Sequence, residues 1–199
     1  ALWDAIPIRR CMTKGGKRSP ACSFAQLGVA LCPCDGSVPP ETYRDVVERL
    51  RRGVEAHPAE LLDPLVARIR EYARNARFEE AADLRDRHRA LARSLTDRRT
   101  WDVLRQAGLL WAEDLNGESI LLEHGRLIAS WTEDDQPPLS TTTATAPSPH
   151  LVPDSVATAE EARLLWRWLD RPGVRIVDST NPLATPLHPI SSLTSLAVG

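Results

Sequence analysis

The sequence lacks long apolar runs, and no stretch approaches the length of a membrane-spanning helix. No secretory signal opens it as it stands, so we expect a cytosolic protein. Aromatic residues make up only 5% of the 199 positions, and phenylalanine occurs twice. Ten glycines against sixteen prolines favour structured pieces joined by linkers, within one or two modest globular units.

The sequence also lacks the residue groupings of common catalytic sites. It contains no Ser/His/Asp grouping, no glycine-rich phosphate loop and no HExxH helix, and its five histidines are scattered. Hydrolytic metal sites need several converging carboxylates, and we find no such set on predicted strands. The sequence therefore offers no catalytic motif.

Charge is distributed unevenly, although the formal net charge is only −2. Residues 1–40 carry +3, residues 41–100 carry +2, and residues 101–199 carry −7. A basic front is compatible with nucleic acid, but +3 is a weak argument alone.

All four cysteines lie in the first 34 residues, and the other 165 residues contain none. They are Cys11, Cys22, Cys32 and Cys34, in the spacing Cys-x10-Cys-x9-Cys-x-Cys. A reducing compartment disfavours two disulfides. Four thiolates in a segment punctuated by glycine and proline predict a tetrahedral metal or an iron–sulfur cluster, which would supply folding energy. Four unrelated thiols are the alternative.

Basic residues accompany these cysteines: Arg9, Arg10, Lys14, Lys17 and Arg18. Such residues bind phosphate through their charge, which predicts a DNA contact here. The alternative is a solvated loop that steadies an anionic thiolate site.

The residues around the cysteines carry a family resemblance. IPIRRC, SPAC and QLGVALCPC resemble the cysteine-rich segment of the UvrC family of excinucleases, where four cysteines are implicated in holding an iron–sulfur cluster. Cys11, Cys22 and Cys34 fall on that motif, whereas the family's third cysteine aligns with Ala30 and Cys32 comes two residues later. The resemblance implies a metal cofactor, and it leaves a 4Fe–4S cluster and zinc both open.

Apolar residues at helical spacing predict two helices between residues 59 and 96. The first carries Leu62, Leu65, Ile69, Tyr72 and Ala76, and the second carries Ala81, Leu84, Leu91 and Leu95. The connection at residues 75–77 is short enough for an antiparallel hairpin.

The second helix opens with a recognisable pattern, Phe78-Glu79-x-Ala81-Ala82-x-x-Arg85-Asp86. It resembles the UVR motif, the helical hairpin found in the excinuclease proteins UvrB and UvrC. The resemblance implies that these six residues bind a UvrB-like hairpin, and self-association is the other pairing. We predict that Phe78 is the anchor. The competing hypothesis buries Phe78 in the core of this chain.

The remaining segments predict an α+β fold. Ser37, as a cap, and the following prolines begin a helix over residues 41–52 that Gly53 ends. Strand-like segments at 109–115, 119–123 and 126–131, with turns at Asn116-Gly117 and His124-Gly125, predict an antiparallel meander. We divide the chain into a cysteine-rich segment (1–38), the helix with the hairpin (39–100) and the meander (101–133).

Three further segments complete the predicted organisation. Residues 134–157 are a flexible linker rich in Pro, Ser and Thr. A capping box from Thr158 to Glu161 begins a helix, and a strand over 174–177 returns to the meander, so that 158–178 packs on it. Residues 179–199 form a loose tail.

Two functions compete at this point. The first is a DNA-repair module, related to nucleotide excision repair, that binds a metal, DNA and a UvrB-like partner without nuclease activity of its own. The alternative is an adaptor that regulates a stress protease or kinase. Such adaptors usually show paired CxxC motifs, which this sequence lacks.

The resemblance also implies missing parts. Proteins of the UvrC family carry a GIY-YIG nuclease domain before their cysteine segment, whereas ten residues precede Cys11 here. We therefore expect a fragment or a split gene whose catalytic domains lie upstream. The sequence is also similar to the C-terminal ends of actinobacterial fusions that join a DEDD-type (DnaQ-like) exonuclease to a UvrC-like region.

Overall fold

The computed structural model describes residues 1–12, 20–132, 134–135, 152–184 and 190. The helices are α1 (Leu2–Ala5), α2 (Ser23–Gln26), α3 (Pro40–Glu55), α4 (Ala59–Arg74), α5 (Phe78–Gln106) and α6 (Val156–Leu169). The strands are β1 (Leu109–Glu113), β2 (Ser119–Glu123), β3 (Arg126–Trp131) and β4 (Arg175–Ser179). The predicted α+β class is confirmed. Most of the predicted linker and tail lies outside the described residues.

The chain divides into two compact units, and α5 contributes residues to both. One unit comprises Ala1–Leu95 with Leu187–Gly199, and the other comprises Thr96–Pro186. Among the described residues, no helix has both the length and the apolarity that crossing a bilayer requires.

The first unit is organised around the hairpin of α4 and α5. The connection between Arg74 and Phe78 includes Ala76, whose φ of 56° reverses the chain direction. Leucines from both helices share one core: Leu61, Leu62, Leu65, Leu84, Leu91 and Leu95. The sequence predicted this pairing, but Leu61, which is fully buried, was not among the predicted core residues.

One polar side chain lies in this leucine core. His88 is only 1% exposed, and neither of its ring nitrogens has a hydrogen-bond partner among the described residues. Burial lowers the pKa of His88, and the negative charge of Asp63 opposes this shift only in part. His88 is therefore neutral in the folded hairpin near neutral pH.

Helix α3 packs against α4 and is longer than the sequence predicted. The predicted end at Gly53 is wrong, because the helix continues to Glu55. An added Cβ at Gly53 would lie 2.5 Å from Cγ of Leu61, so this glycine allows the two helices to approach closely. The predicted cap is also wrong: Pro39 precedes the helix, and the Ser37 hydroxyl bonds to Asp35 instead.

The N-terminal segment closes the hairpin core. Ala5 and Ile6 are buried among the hairpin leucines, although no sequence pattern marked them. The carboxylate of Asp4 accepts a hydrogen bond from Arg87 at 3.3 Å. The backbone oxygen of Asp4 accepts a hydrogen bond from Arg68, also at 3.3 Å. Residues 1–8 thus belong to the hairpin's core rather than to a separate cysteine-rich segment.

The second unit contains a four-stranded antiparallel sheet in the order β3-β2-β1-β4. Both expected features, the meander and the returning strand, are present. At the His124-Gly125 turn, φ values of 48° and 83° suit the tight connection that was predicted. The predicted turn at Asn116-Gly117 is also present, and Gly117 has a φ of 79°. Asp114 closes it by accepting from the backbone N–H groups of Asn116 and Glu118.

Helix α6 covers the sheet core, but a different residue caps it. Ser155 accepts from the backbone N–H of Thr158, so the predicted cap at Thr158 is wrong by three positions. Glu161, the other half of the expected capping box, instead accepts from the backbone of Leu127 and pairs with Arg126 at 3.2 Å. Its carboxylate joins α6 to β3.

Candidate metal centre

Three separate pieces of chain bring the cysteines together. Cys11 follows the N-terminal segment, Cys22 is the residue at the start of α2, and Cys34 lies in a 3₁₀ turn over Pro33–Asp35. Gly36 ends that turn with a φ of 76°. The proline and the glycine favour such a compact turn, because one begins a tight helix and the other permits the left-handed exit.

Three of the four cysteines converge. The Sγ atoms of Cys11, Cys22 and Cys34 all lie within 4.8 Å of one another. Cys34 is buried, and the other two are half-buried. These three thiols are close enough to bind one metal ion.

The spacing can be compared with a known coordination geometry. Zinc bonds thiolates at about 2.3 Å, which in a tetrahedron separates the sulfurs by about 3.8 Å. Small side-chain rotations would bring the three thiols to that distance. In a cubane cluster each thiolate binds a different iron, which sets the sulfurs further apart. Converging thiols are what either kind of site requires.

Cys32 lies outside this group of three. It is fully buried, in one small core with Cys34, and Cys11 and Cys22 pack against that core. Ala30, the position that aligns with the family's third cysteine, is buried in the same small core. The structure thus brings three predicted ligands together and places the fourth in the core beside them.

Arg9 contacts the cluster, as the alternative for the basic residues, a loop that steadies an anionic thiolate site, predicted. A hydrogen bond from Arg9 is the main cause that lowers the pKa of Cys11 to about 7, with smaller contributions from Cys22 and Cys32. Cys34 behaves differently: the Cys22 backbone donates to it, but burial and the neighbouring thiols raise its pKa. Arg9 therefore favours the thiolate that a metal ion needs.

The cluster is tied to the hairpin through the backbone. The N–H of Leu31 donates to the oxygen of Pro7 at 2.8 Å. Pro7 follows Ile6, which is buried in the hairpin core. The cysteine loop is thereby attached to the segment that closes the leucine core.

The predicted DNA-binding residues are only partly described. Arg9 is engaged with Cys11, whereas Arg10 donates to the backbone oxygen of Trp3 and lies 5.8 Å from that ring's centroid. Lys14, Lys17 and Arg18 lie outside the described residues.

The predicted partner-binding residues divide into exposed and buried ones. Phe78 is 67% exposed, as an anchor for a partner requires. Ala81 is buried and Ala82 half-buried against the hairpin, while Glu79, Arg85 and Asp86 are exposed. Asp86 pairs with Arg89 at 3.3 Å, which is a solvent-facing contact of little stability.

A cationic and aromatic cluster lies at the same end of the hairpin. Tyr72 has the guanidinium of Arg77 at 4.6 Å and that of Arg68 at 5.7 Å from its ring centroid. Arg77 also pairs with Glu80 at 2.8 Å. The sequence predicted Tyr72 only as part of an apolar stripe, although an arginine four positions earlier on the same helical face was a usable signal.

Comparison with known proteins agrees with the local motifs. The chain is 38% identical over 95 residues to UvrABC system protein C of Nitratidesulfovibrio vulgaris, covering 47% of this chain and 14% of the relative. The protein of the same name from Thermus thermophilus is 38% identical over 87 residues, covering 43% and 15%. This chain contains a UvrC-like region. The Rickettsia rickettsii relative matches at 30% over 117 residues, covering 58% and 18%.

The UvrC-like region accounts for about half of the chain, and the chain spans only about one seventh of the first of these relatives. No family model matches the chain, and no solved structure is significantly similar to it.

Proposed function

We propose that this chain is the non-catalytic, UvrC-like portion of a bacterial DNA-repair nuclease. Its cysteine cluster holds a metal ion, and its hairpin binds a helical partner. The convergence of Cys11, Cys22 and Cys34 within 4.8 Å, directly beside a UVR-type hairpin, is the observation that carries the proposal. The relatives named UvrABC system protein C favour it over the protease or kinase adaptor.

The proposed metal role is structural. Cys11, Cys22 and Cys34 would hold the ion, with Cys32 or an outside ligand completing the shell. A bound ion would replace the apolar core that this short segment lacks. The sulfur spacing supports zinc, and the family resemblance keeps the iron–sulfur cluster as the alternative cofactor.

The proposed partner is a helical hairpin of the UvrB type. An exposed Phe78 next to the Tyr72–Arg77 stack gives an aromatic and cationic surface, and such residues dominate protein interfaces. Pairing two hairpins would complete a four-helix bundle and cover Phe78. A second copy of this chain is the other occupant that the test must separate.

DNA contact and the parent protein complete the proposal. The basic residues Arg9, Arg10, Lys14, Lys17 and Arg18 contact DNA in this proposal, although Arg9 also contacts Cys11 and Arg10 also contacts Trp3. The parent protein, in this proposal, carries its nuclease domain elsewhere, as in the actinobacterial exonuclease fusions that the sequence resembles. The chain itself leaves plasmid, single-stranded and damaged DNA uncut in magnesium or manganese.

Metal analysis tests the first half of the proposal. Anaerobically purified protein should contain about one zinc per chain and show no visible iron–sulfur absorbance. Cys34→Ser should lose the metal, whereas Cys32→Ser should keep most of it, because Cys32 lies outside the group of three. Folded protein free of both zinc and iron would overturn the proposal, and equal loss in both variants would restore a four-cysteine site.

Binding to a purified UvrB-type hairpin tests the second half. Phe78→Ala should weaken binding at least tenfold, which corresponds to about 1.4 kcal/mol. Phe24→Ala is the matched control, because Phe24 is the other phenylalanine and lies on α2, away from the hairpin motif. Sedimentation of the free chain separates the self-association outcome: a dimer that Phe78→Ala dissolves would place a second copy on this surface.

A further inference from the structure

The second unit contains a pocket that the UvrC-like motifs do not explain. Its volume is about 420 Å³, within the usual range for ligand sites. Ser119 is 4% exposed, and Glu113, its direct partner across the sheet, lines the pocket beside it. The loop at Asp114 and the strand residue Arg175 line other parts of the pocket.

Two tryptophans line this pocket from different strands. Trp111 is in β1 and Trp131 ends β3, and their ring centroids lie 5.8 Å apart with the planes tilted by 47°. Because the rings are tilted rather than stacked, they form a corner with two usable faces. The indole N–H of Trp111 is buried and has no hydrogen-bond partner among the described residues. A buried donor without a partner is costly unless a ligand supplies an acceptor.

The charged residues that line the pocket indicate the sign of the charge on a ligand that it would bind. Glu113, Asp114 and Asp135 supply three carboxylates, whereas Arg175 is the single basic residue among the lining residues. Arg175 pairs with Glu113 at 3.3 Å and so offsets one of the three. The excess negative charge disfavours phosphate, and tryptophan faces attract cations.

We infer that this pocket binds the cationic side chain of a basic peptide, an arginine or a lysine. The guanidinium or ammonium group lies against the faces of Trp111 and Trp131 and near the carboxylates. The planar guanidinium of an arginine stacks on aromatic faces, which favours a peptide side chain over a free polyamine. This site is independent of the cysteine cluster and of the hairpin motif.

Indole N–H signals in two-dimensional NMR of the full chain provide the test, with capped Gly-Arg-Gly as the probe. Titration should shift the signals of Trp111 and Trp131 and leave that of Trp3 in place. Capped Gly-norleucine-Gly, which has no charge, should bind about tenfold more weakly, because cation–π contacts contribute on the order of 1 kcal/mol or more. Spermidine, a cation without a carbonyl, should also bind more weakly than the arginine peptide.

Variants keep the inference open to refutation. Trp131→Leu should abolish the arginine-dependent shifts, and Trp3→Leu, a substitution of an exposed tryptophan in the first unit, should preserve them. If Trp131→Leu disturbs the sheet, Glu113→Gln tests the same site by weakening arginine binding severalfold. Equal binding of the arginine and norleucine peptides would overturn the inference, and tighter binding of spermidine would replace the peptide by a polyamine.

Discussion

The cysteine segment and the hairpin lie in the same unit, yet they are built by opposite means. The buried centre of the cysteine segment consists of Ala30, Cys32 and Cys34, and α2 beside it has only four residues. The hairpin has helices of 16 and 29 residues around a leucine core. Helices of four residues do not hold themselves together in water. The hairpin is therefore stabilised by apolar burial, whereas the cysteine segment, in the proposed function, is stabilised by a metal ion.

Removing one of the three converging thiols should have the largest effect, and it should affect the cysteine segment without affecting the hairpin. In Cys34→Ser, we expect loss of the metal ion and loss of hydrogen-exchange protection across residues 20–36, because the ion supplies the folding energy of that segment. Amides of α4 and α5 should stay protected, since their core contains no metal ligand. Exchange measured by mass spectrometry checks both regions in one experiment.

A chelator provides the control for this prediction. Excess chelator added to the unmodified protein should reproduce the exchange pattern of Cys34→Ser, and added zinc should reverse it. Rapid exchange throughout the hairpin under chelation would contradict the separation between the two regions.

A substitution in the leucine core should destabilise the hairpin and leave the cysteine site intact. Leu62 is 1% exposed, and Leu62→Ala should lower the free energy of unfolding by about 2–5 kcal/mol through lost burial and a residual cavity. Urea denaturation followed by circular dichroism measures this change. Metal content should remain at the wild-type level under native conditions. A change below about 1 kcal/mol would mean that the hairpin does not depend on this core.

The hairpin and the sheet were predictable because each has a period of its own. The leucines of each helix, such as Leu62 and Leu65 on α4 and Leu84 on α5, belong to apolar stripes at helical spacing. The strand segments have strand-like composition and are separated by turn signals. Ends and caps were less predictable, as Gly53 illustrates. Glycine after a helical run usually marks a stop, but the close approach of Leu61 from α4 requires glycine inside α3. That requirement comes from tertiary packing, which local pattern does not contain.

The cysteine site was predictable to the level of residue type. Clustering and family motif pointed to Cys11, Cys22 and Cys34, which converge. Cys32 was included because all four cysteines cluster in one segment, but only the other three converge. Arg9 was assigned to DNA, with a loop that steadies an anionic thiolate site as the alternative; its contact with Cys11 agrees with that alternative.

Buried His88 should make the stability of the hairpin depend on pH, which gives a further test of the hairpin core. Its pKa is lowered in the folded hairpin, so the unfolded chain binds a proton more readily, starting near the ordinary value of 6.5. The contribution of neutral His88 to the free energy of unfolding is therefore fully present above pH 6.5 and is lost as the pH falls below that value. His88→Leu should remove this loss and raise stability by about 1 kcal/mol at neutral pH, since it replaces an unpartnered buried group.

Thermal unfolding between pH 5 and 7.5 measures the effect as the difference between His88→Leu and wild type. His57→Gln is the matched control, because that imidazole is only half-buried and lies outside the leucine core. A difference that stays constant over this pH range would show that His88 does not titrate on unfolding.

The smallest expected effect is on the stability of Phe78→Ala. Phe78 is 67% exposed, so folding buries little of its side chain. Phe78→Ala should therefore change the free energy of unfolding by less than about 0.5 kcal/mol. Leu84, less than two turns further along the same helix, is 3% exposed, and Leu84→Ala should cost several times more. Denaturant unfolding of the two variants side by side makes the measurement.

This pair of substitutions separates the two faces of α5. A large exposed aromatic side chain that contributes nothing to the fold is available to a partner, which is why a stability-neutral Phe78→Ala supports partner binding. A loss of about 2 kcal/mol or more would instead mean that Phe78 packs within this chain in solution. The hairpin would then lose its main anchor, and the proposed pairing would have to rest on Tyr72 and Arg77.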